Sequence, residues 1–331
     1  MKKFCINFVP WIITFVALYF VAKEIEWSIF CDNLLKADKV WLSYAVVLTF
    51  FSYFFRSYRW KYFFENRHLL DFVSSFKVLL LGFFMNNILP ARTGELVRAH
   101  TGAKLAGTSR TLMLASIASE RLVDGLTISL FFMICCFTLM KSGVSDKLFN
   151  VSLAFLGVGY LVICVLVFRN KIYSLLNYFS KKHKWLSYLA NLMHIFIEGL
   201  APLCSLKSFF PVSFFSLLIW GIELLVFYSV SQAFSIELTL GQCIIFMVAV
   251  NFSSLIPAAP GGVGVIEAVT LSILMSLNFG ADLPINEKRA IALGMILSQH
   301  VIQFAVVGIF GFISFILLKK QVGSIGKLDN E

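Results

Sequence analysis

Six apolar runs, at about residues 4 to 22, 39 to 57, 111 to 140, 149 to 168, 208 to 233 and 290 to 318, set the terms for everything else in this chain. About 18 to 20 apolar residues in a helix span a hydrocarbon layer of roughly 30 Å. Lipid gives backbone amides no hydrogen-bond partner, so a crossing segment must satisfy its own, which a helix does. The runs therefore predict an all-α, polytopic integral membrane bundle. Composition supports this: 59% of the 331 residues are hydrophobic and 14% charged, where soluble domains hold about a quarter charged. A water-soluble core is excluded.

Two further apolar regions, about 72 to 107 and 241 to 279, are each interrupted near the middle by Pro and Gly and read as re-entrant hairpins. Loop charge tests this count, because Lys and Arg are retained on the cytoplasmic side. The inner segments hold fourteen cations (Lys2, Lys3, Arg56, Arg59, Lys61, Arg67, Arg169, Lys171, Lys181, Lys182, Lys184, Lys319, Lys320, Lys327) against four acids. The outer segments hold seven cations (Lys23, Lys36, Lys39, Lys141, Lys147, Lys288, Arg289) against eight acids. Both termini are therefore expected in the cytoplasm, with the chain in the cytoplasmic (inner) membrane. The net charge of +10 is spread over these loops and forms no contiguous basic face, so nucleic acid is not an expected partner. The apolar start after Lys3 is read as a retained first helix and not a cleaved signal. Residues 185 to 206 read either as a helix in the inner interface or as a connector packed on the bundle. The seven cysteines form no CxxC pattern, so neither a disulfide framework nor a metal site is expected.

The two interrupted regions match each other. Asn86-Asn87-Ile88-Leu89-Pro90-Ala91-Arg92-Thr93-Gly94 aligns without gaps to Ser253-Ser254-Leu255-Ile256-Pro257-Ala258-Ala259-Pro260-Gly261, offset by 167 residues. Three full crossings between the copies invert the second relative to the first, the layout of an inverted-repeat transporter. The chain then reads as one membrane domain, 1–331, with a first hairpin region to about 110, central helices from about 111 to 233, and a second hairpin region from about 234. Pro90, Gly94, Pro257, Pro260, Gly261 and Gly262 are the expected breaks. Proline removes a donor and clashes with the preceding turn, so each break frees backbone groups that protein or a wet cavity must receive. A helix starting after each break would present its amides to an anion. The Gly261-Gly262-Val263-Gly264 run lacks the lysine and flanking strand of a phosphate loop, and nucleotide is not an expected ligand. The bland alternative is that both breaks kink helices for close packing.

Ionisable residues at membrane depth form three sets. Arg92, Glu95 and Arg98 fall at spacings of three and share a face if the segment after Pro90 is helical. Glu120, Arg121 and Asp124 lie early in the 111 to 140 helix, where Arg121 and Asp124 can pair. Glu267 follows the second break, and Glu223 stands alone in an apolar crossing. One reading puts Arg92 and Arg98 on a lipid phosphate, whose oxygens suit a forked guanidinium. The other makes all of these a neutralised network that fixes helix orientation. His300 reads as embedded and isolated, a packed, hydrogen-bonded side chain in preference to the alternative of a proton relay.

The blocks Asn86 to Arg98, Glu120-Arg121-Leu122-Val123-Asp124 and Pro257 to Glu267 resemble the hallmark blocks of the lysylphosphatidylglycerol synthase transmembrane-region family, also called the flippase-like domain family, over nearly the whole chain. That resemblance implies a polytopic fold with re-entrant hairpins and, in bifunctional members, translocation of an aminoacylated phospholipid. It makes Asn87, Arg92, Glu95, Arg98, Glu120, Arg121, Asp124 and Glu267 the expected substrate-binding residues. The chain ends eleven residues after Lys320, so the soluble synthase domain is expected to be absent and no enzyme activity is expected. The function expected is a flippase for an anionic phospholipid or polyprenyl-linked lipid. The alternatives are a secondary transporter of a small soluble anion and a membrane-embedded enzyme acting on a lipid phosphate with Glu95 or Glu120 as acid or base. No cofactor is expected; the expected partners are membrane lipids and a second copy of the chain.

Overall fold

The structure is a computed structural model and describes residues 2–64, 69–89, 93–138, scattered positions between 153 and 174, 205–256 and 258–322. The crossing expected at 149 to 168, the basic loop at 169 to 184 and the segment at 185 to 206 lie wholly or mostly outside the described residues, as do Pro90, Arg92 and Pro257. The helices are α1 (Lys2–Glu24), α2 (Trp27–Lys36), α3 (Lys39–Trp60), α4 (Phe72–Ile88), α5 (Gly94–Ala106), α6 (Arg110–Thr138), α7 (Leu206–Ala233), α8 (Leu240–Ser253), α9 (Val265–Met275) and α10 (Ile285–Val322). The all-α membrane bundle expected from the apolar runs is what forms.

Local chemistry starts the helices where the sequence supplies a cap. Asp38 and Asp71 accept the first amides of α3 and α4, and Thr239 with Gln242 makes a reciprocal box at α8, each satisfying donors that a helix start leaves open. Among the described residues, three helices, over Lys39–Phe63, Leu206–Ala233 and Ile285–Lys319, are long and apolar enough to cross a membrane. α6 has the length but carries Glu120, Arg121 and Asp124. Large side chains such as Phe51, Phe214, Val301 and Phe312 point outward, while arginines and carboxylates are buried. This reversal of the water-soluble pattern is what a lipid solvent favours. Residues 23 to 39, read as a plain outer loop, contain α2, whose Phe30 is buried while Trp27 and Leu35 are exposed. Ten residues are too few to cross, so hydropathy over a spanning window passes over it.

Both interrupted regions fold back on themselves. α4 ends at Leu89 and α5 starts at Gly94, and the two pack against each other; α8 and α9 do the same. A Cβ on Gly94 would fall 2.2 Å from the carbonyl oxygen of Gly82, and one on Gly82 would fall 2.7 Å from Cβ of Arg98. Only glycine permits that approach. The two pairs contribute to different apolar clusters. One apolar cluster joins Trp60 and Phe63 to Val78 on α4, Ala103 on α5, Met113 and Leu318. The other joins Ile25, Ala45 and Phe132 to Ile244 on α8, Leu274 on α9 and Ala290. α4 also packs on the 3₁₀ turn Pro260–Gly262.

Candidate functional site

α3, α5, α6 and α7 bring four guanidinium groups and four carboxylates into one connected network. Arg98 and Glu120 form a fork, Nη2 to Oε2 at 2.7 Å and Nη1 to Oε1 at 3.2 Å, with the Arg98 guanidinium 4.1 Å from the Trp60 ring centroid. Arg59 lies 2.8 Å from Asp124 and donates to Ser216 at 2.7 Å. Arg56 bridges Asp124 at 3.3 Å and Glu223 at 3.2 Å. Ser52 donates to Glu223, and the Trp220 indole donates to Asp124. Arg121 reaches Glu95 at 3.2 Å, Glu120 at 3.2 Å and Asp124 at 3.8 Å. Each partner offsets the desolvation of the other, and the sum of these eight charges is zero. Only Arg121 and Glu95 are open to the surroundings, with side chains 30% and 29% exposed; Glu120 and Arg59 are at 0%.

The second break is closed by three side chains. Thr14 of α1 accepts from the Ala259 amide and donates to the Val263 carbonyl. Glu267 accepts from the Gly264 amide and meets Nδ1 of His300 at 2.6 Å, while Nε2 of His300 meets the Gly261 carbonyl at 3.1 Å. Gly261, Gly262 and Gly264 have φ of 72°, 75° and 85°, a region that favours residues without Cβ. The backbone groups freed by this break are thus received by protein. The anion at the start of each second arm is the chain's own: Glu95 sits in the first turn of α5 and Glu267 in the first turn of α9. The sequence expectation of open amides there is corrected at Gly264, whose amide is taken.

The structure brings Glu95, Arg98, Glu120, Arg121 and Asp124 together around α6. Asn87 is half-buried at the end of α4, and Gly94 is buried. Pro260, Gly261 and Gly262 form the turn at the second break, with Glu267 just beyond. Three readings are corrected. Arg56 and Arg59, counted among inner-loop cations, are buried on α3, because that helix runs to Trp60; the inner count falls by these two and still exceeds the outer. Glu223 is not alone but paired with Arg56, and His300 is not isolated but paired with Glu267. Sequence reasoning missed Arg56, Arg59 and Ser52 as members of the site. Their spacing, Ser52, Arg56 and Arg59 on one face of an otherwise aromatic helix, was the available signal.

These features define a class: a polytopic helical membrane protein with two interrupted helical pairs and a charge network buried among α3, α5, α6 and α7. The profile of the lysylphosphatidylglycerol synthase TM region matches residues 7–311, and the chain belongs to that family. Among curated proteins it is similar to a UPF0104 membrane protein of Pyrococcus horikoshii, 19% identical, covering 98% of this chain and 99% of that one. UPF0104 membrane proteins of Methanothermobacter thermautotrophicus (25% identical; 72% of this chain, 76% of the relative) and Methanocaldococcus jannaschii (24%; 72% and 96%) are also similar. No solved structure matches.

Proposed function

We propose that the protein is a flippase that moves an anionic lipid headgroup, of a phospholipid or a polyprenyl-linked lipid, across the cytoplasmic membrane along the seam between its two hairpins. The hairpins then enter the bilayer from opposite faces as an inverted pair, and both termini are cytoplasmic. The observation that carries this reading is the buried network that opens only at Arg121 and Glu95. A chain that needed these charges solely for helix orientation has no use for a half-exposed end. A phosphate arriving there meets a forked donor and displaces Glu95 from it. Behind Arg121, Nε of Arg98 and Nε and Nη2 of Arg59 are buried with no acceptor among the described residues, so donor capacity continues inward. The family description names the synthase of an aminoacyl phospholipid, which supports a lipid as the cargo.

The test is transfer of a fluorescent phospholipid in proteoliposomes, read by dithionite bleaching. Wild type is expected to expose inner-leaflet label, and Arg121→Ala to slow that transfer at least tenfold while remaining folded. Equal rates in wild type, Arg121→Ala and empty liposomes would remove the proposal. Uptake of a soluble anion by wild type without lipid transfer would replace it with the small-anion reading.

A further inference from the structure

His300 stands between two hydrogen-bond acceptors. Its Nε2 faces the carbonyl oxygen of Gly261, and its Nδ1 faces a carboxylate oxygen of Glu267. A carbonyl only accepts, so Nε2 carries a hydrogen. The Nδ1 contact then needs one more, on the ring or on the carboxyl. The pair therefore holds one hydrogen beyond an ionised carboxylate with a neutral imidazole, and it is electrically neutral, either as imidazolium with carboxylate or as imidazole with carboxylic acid. The side chains are 9% and 3% exposed, so a net charge here is costly.

Loss of that hydrogen to water leaves the pair at charge −1. Either lone pairs of Nδ1 and Oε1 then oppose each other at 2.6 Å, or the ring turns and releases Gly261. Gain of a second hydrogen leaves a buried net charge of +1, with Oε2 already accepting from Gly264. One of the four side-chain ties on the turn, at Gly261, thus depends on this proton; Glu267 accepts from Gly264 with or without it, and the other two ties belong to Thr14.

Among the described residues, the pair has no second acid or base in ion-pair contact. α9 carries Glu267 alone, α8 has no Asp, Glu, Lys, Arg or His, and α1 has none between Trp11 and Leu18. α10 has only His300 between Ala290 and Leu318, and α4 has only Lys77, nine residues before Asn86. α3 presents Tyr53 to Gln303, next to His300 on α10. The remaining charges of α3, α5, α6 and α7 belong to the Arg56-to-Glu223 network, apart from Lys39, Lys104, Arg110 and Lys207 in their terminal turns; α5 also carries the buried His100, and α2 carries Asp32 and Lys36. Among the described residues, no other charged side chain lies within ion-pair distance of Glu267 or His300.

We propose that Glu267 and His300 form a proton-binding site that keeps the second break closed while one proton is bound, and that this proton is the ion coupled to lipid movement. The second half rests on the transport reading above; the first half does not.

Hydrogen–deuterium exchange of the peptide 258–268 in the purified full chain, corrected for intrinsic rates and read against α8, tests the site itself. Wild type is expected to lose at least tenfold in protection between neutral and alkaline pH. Glu267→Gln is expected to stay protected at both, since its amide donates to Nδ1 and its oxygen accepts from Gly264 at every pH. His300→Gln, which keeps a neutral donor for Gly261, is the second variant and is expected to be equally flat. Protection in wild type that is flat from pH 5 to 10, or variants that follow the wild-type course, overturns the site. In proteoliposomes an imposed proton gradient is expected to change lipid transfer severalfold in wild type and not in Glu267→Gln. Transfer that ignores the gradient in wild type overturns the coupling alone. Absence of any lipid transfer overturns the flippase reading and leaves the exchange result standing by itself.

Discussion

Arg98 illustrates what a single side chain contributes here. It is 1% exposed, its fork is filled by Glu120, and it lies flat against Trp60, so removing the partner strands a cation where water does not reach. Truncating one member of a buried pair costs about 3 to 5 kcal/mol, whereas replacing both by apolar groups is often neutral. Glu120→Ala is therefore expected to lower thermal stability in detergent by that order, and Arg98→Met with Glu120→Met to recover most of it. A Glu120→Ala protein as stable as wild type would show that the fork does not hold α5 to α6. The spacing of charges in the sequence pointed to Arg98, Glu120, Arg121 and Asp124 and to the pair Arg121 with Asp124 within α6, but not to Arg98 with Glu120, because partners 22 residues apart on separate helices leave no periodic trace. Arg56 and Arg59 were hidden for a different reason: at the end of an apolar run, a cation in the last helical turn and one in the next loop look alike.

At the scale of elements, each hairpin depends on close contact between its two arms. Gly82 and Gly94 let α4 and α5 approach until a Cβ on Gly94 would meet the Gly82 carbonyl and the Asn86 backbone. A methyl group there must push the arms apart, and overpacking of this kind costs about 1 to 3 kcal/mol. Gly94→Ala is expected to reduce stability by that amount, and because α5 carries Arg98 and Glu95 it should also disturb lipid transfer. Measured unfolding and transfer unchanged from wild type would mean that the arms have more freedom than their contacts indicate. Pro and Gly marked where the helices break, since both act locally on the backbone. The closing of the second break by Thr14 and His300 was not legible, because those residues lie 245 and 39 positions away from the groups they satisfy.

For the molecule as a whole, Val78 of α4 and Ala103 of α5 belong to one apolar cluster and Ile244 of α8 and Leu274 of α9 to another, and the proposed inverted pair puts the far ends of the two hairpins on opposite sides of the membrane. In intact cells and inverted vesicles, cysteine at Lys104, in the last turn of the first hairpin, and cysteine at Asn278, after the second, should therefore react with an impermeant maleimide from opposite sides of the membrane. Labelling of Lys104→Cys and Asn278→Cys from the same side would dismantle the inverted arrangement. Long apolar runs by themselves determined that the chain is an all-helical membrane bundle, and matched Pro-x-x-x-Gly breaks determined where two segments stop being continuous, because hydropathy and backbone stereochemistry are properties of contiguous residues. Tertiary structure alone decided which carboxylate on one helix neutralises which arginine on another, that the network opens at Arg121 and Glu95, and that His300 meets Glu267. Those pairings arise from the three-dimensional cost of leaving a charge unmatched in a low-dielectric interior, which the folded arrangement of helices settles and no stretch of sequence encodes locally.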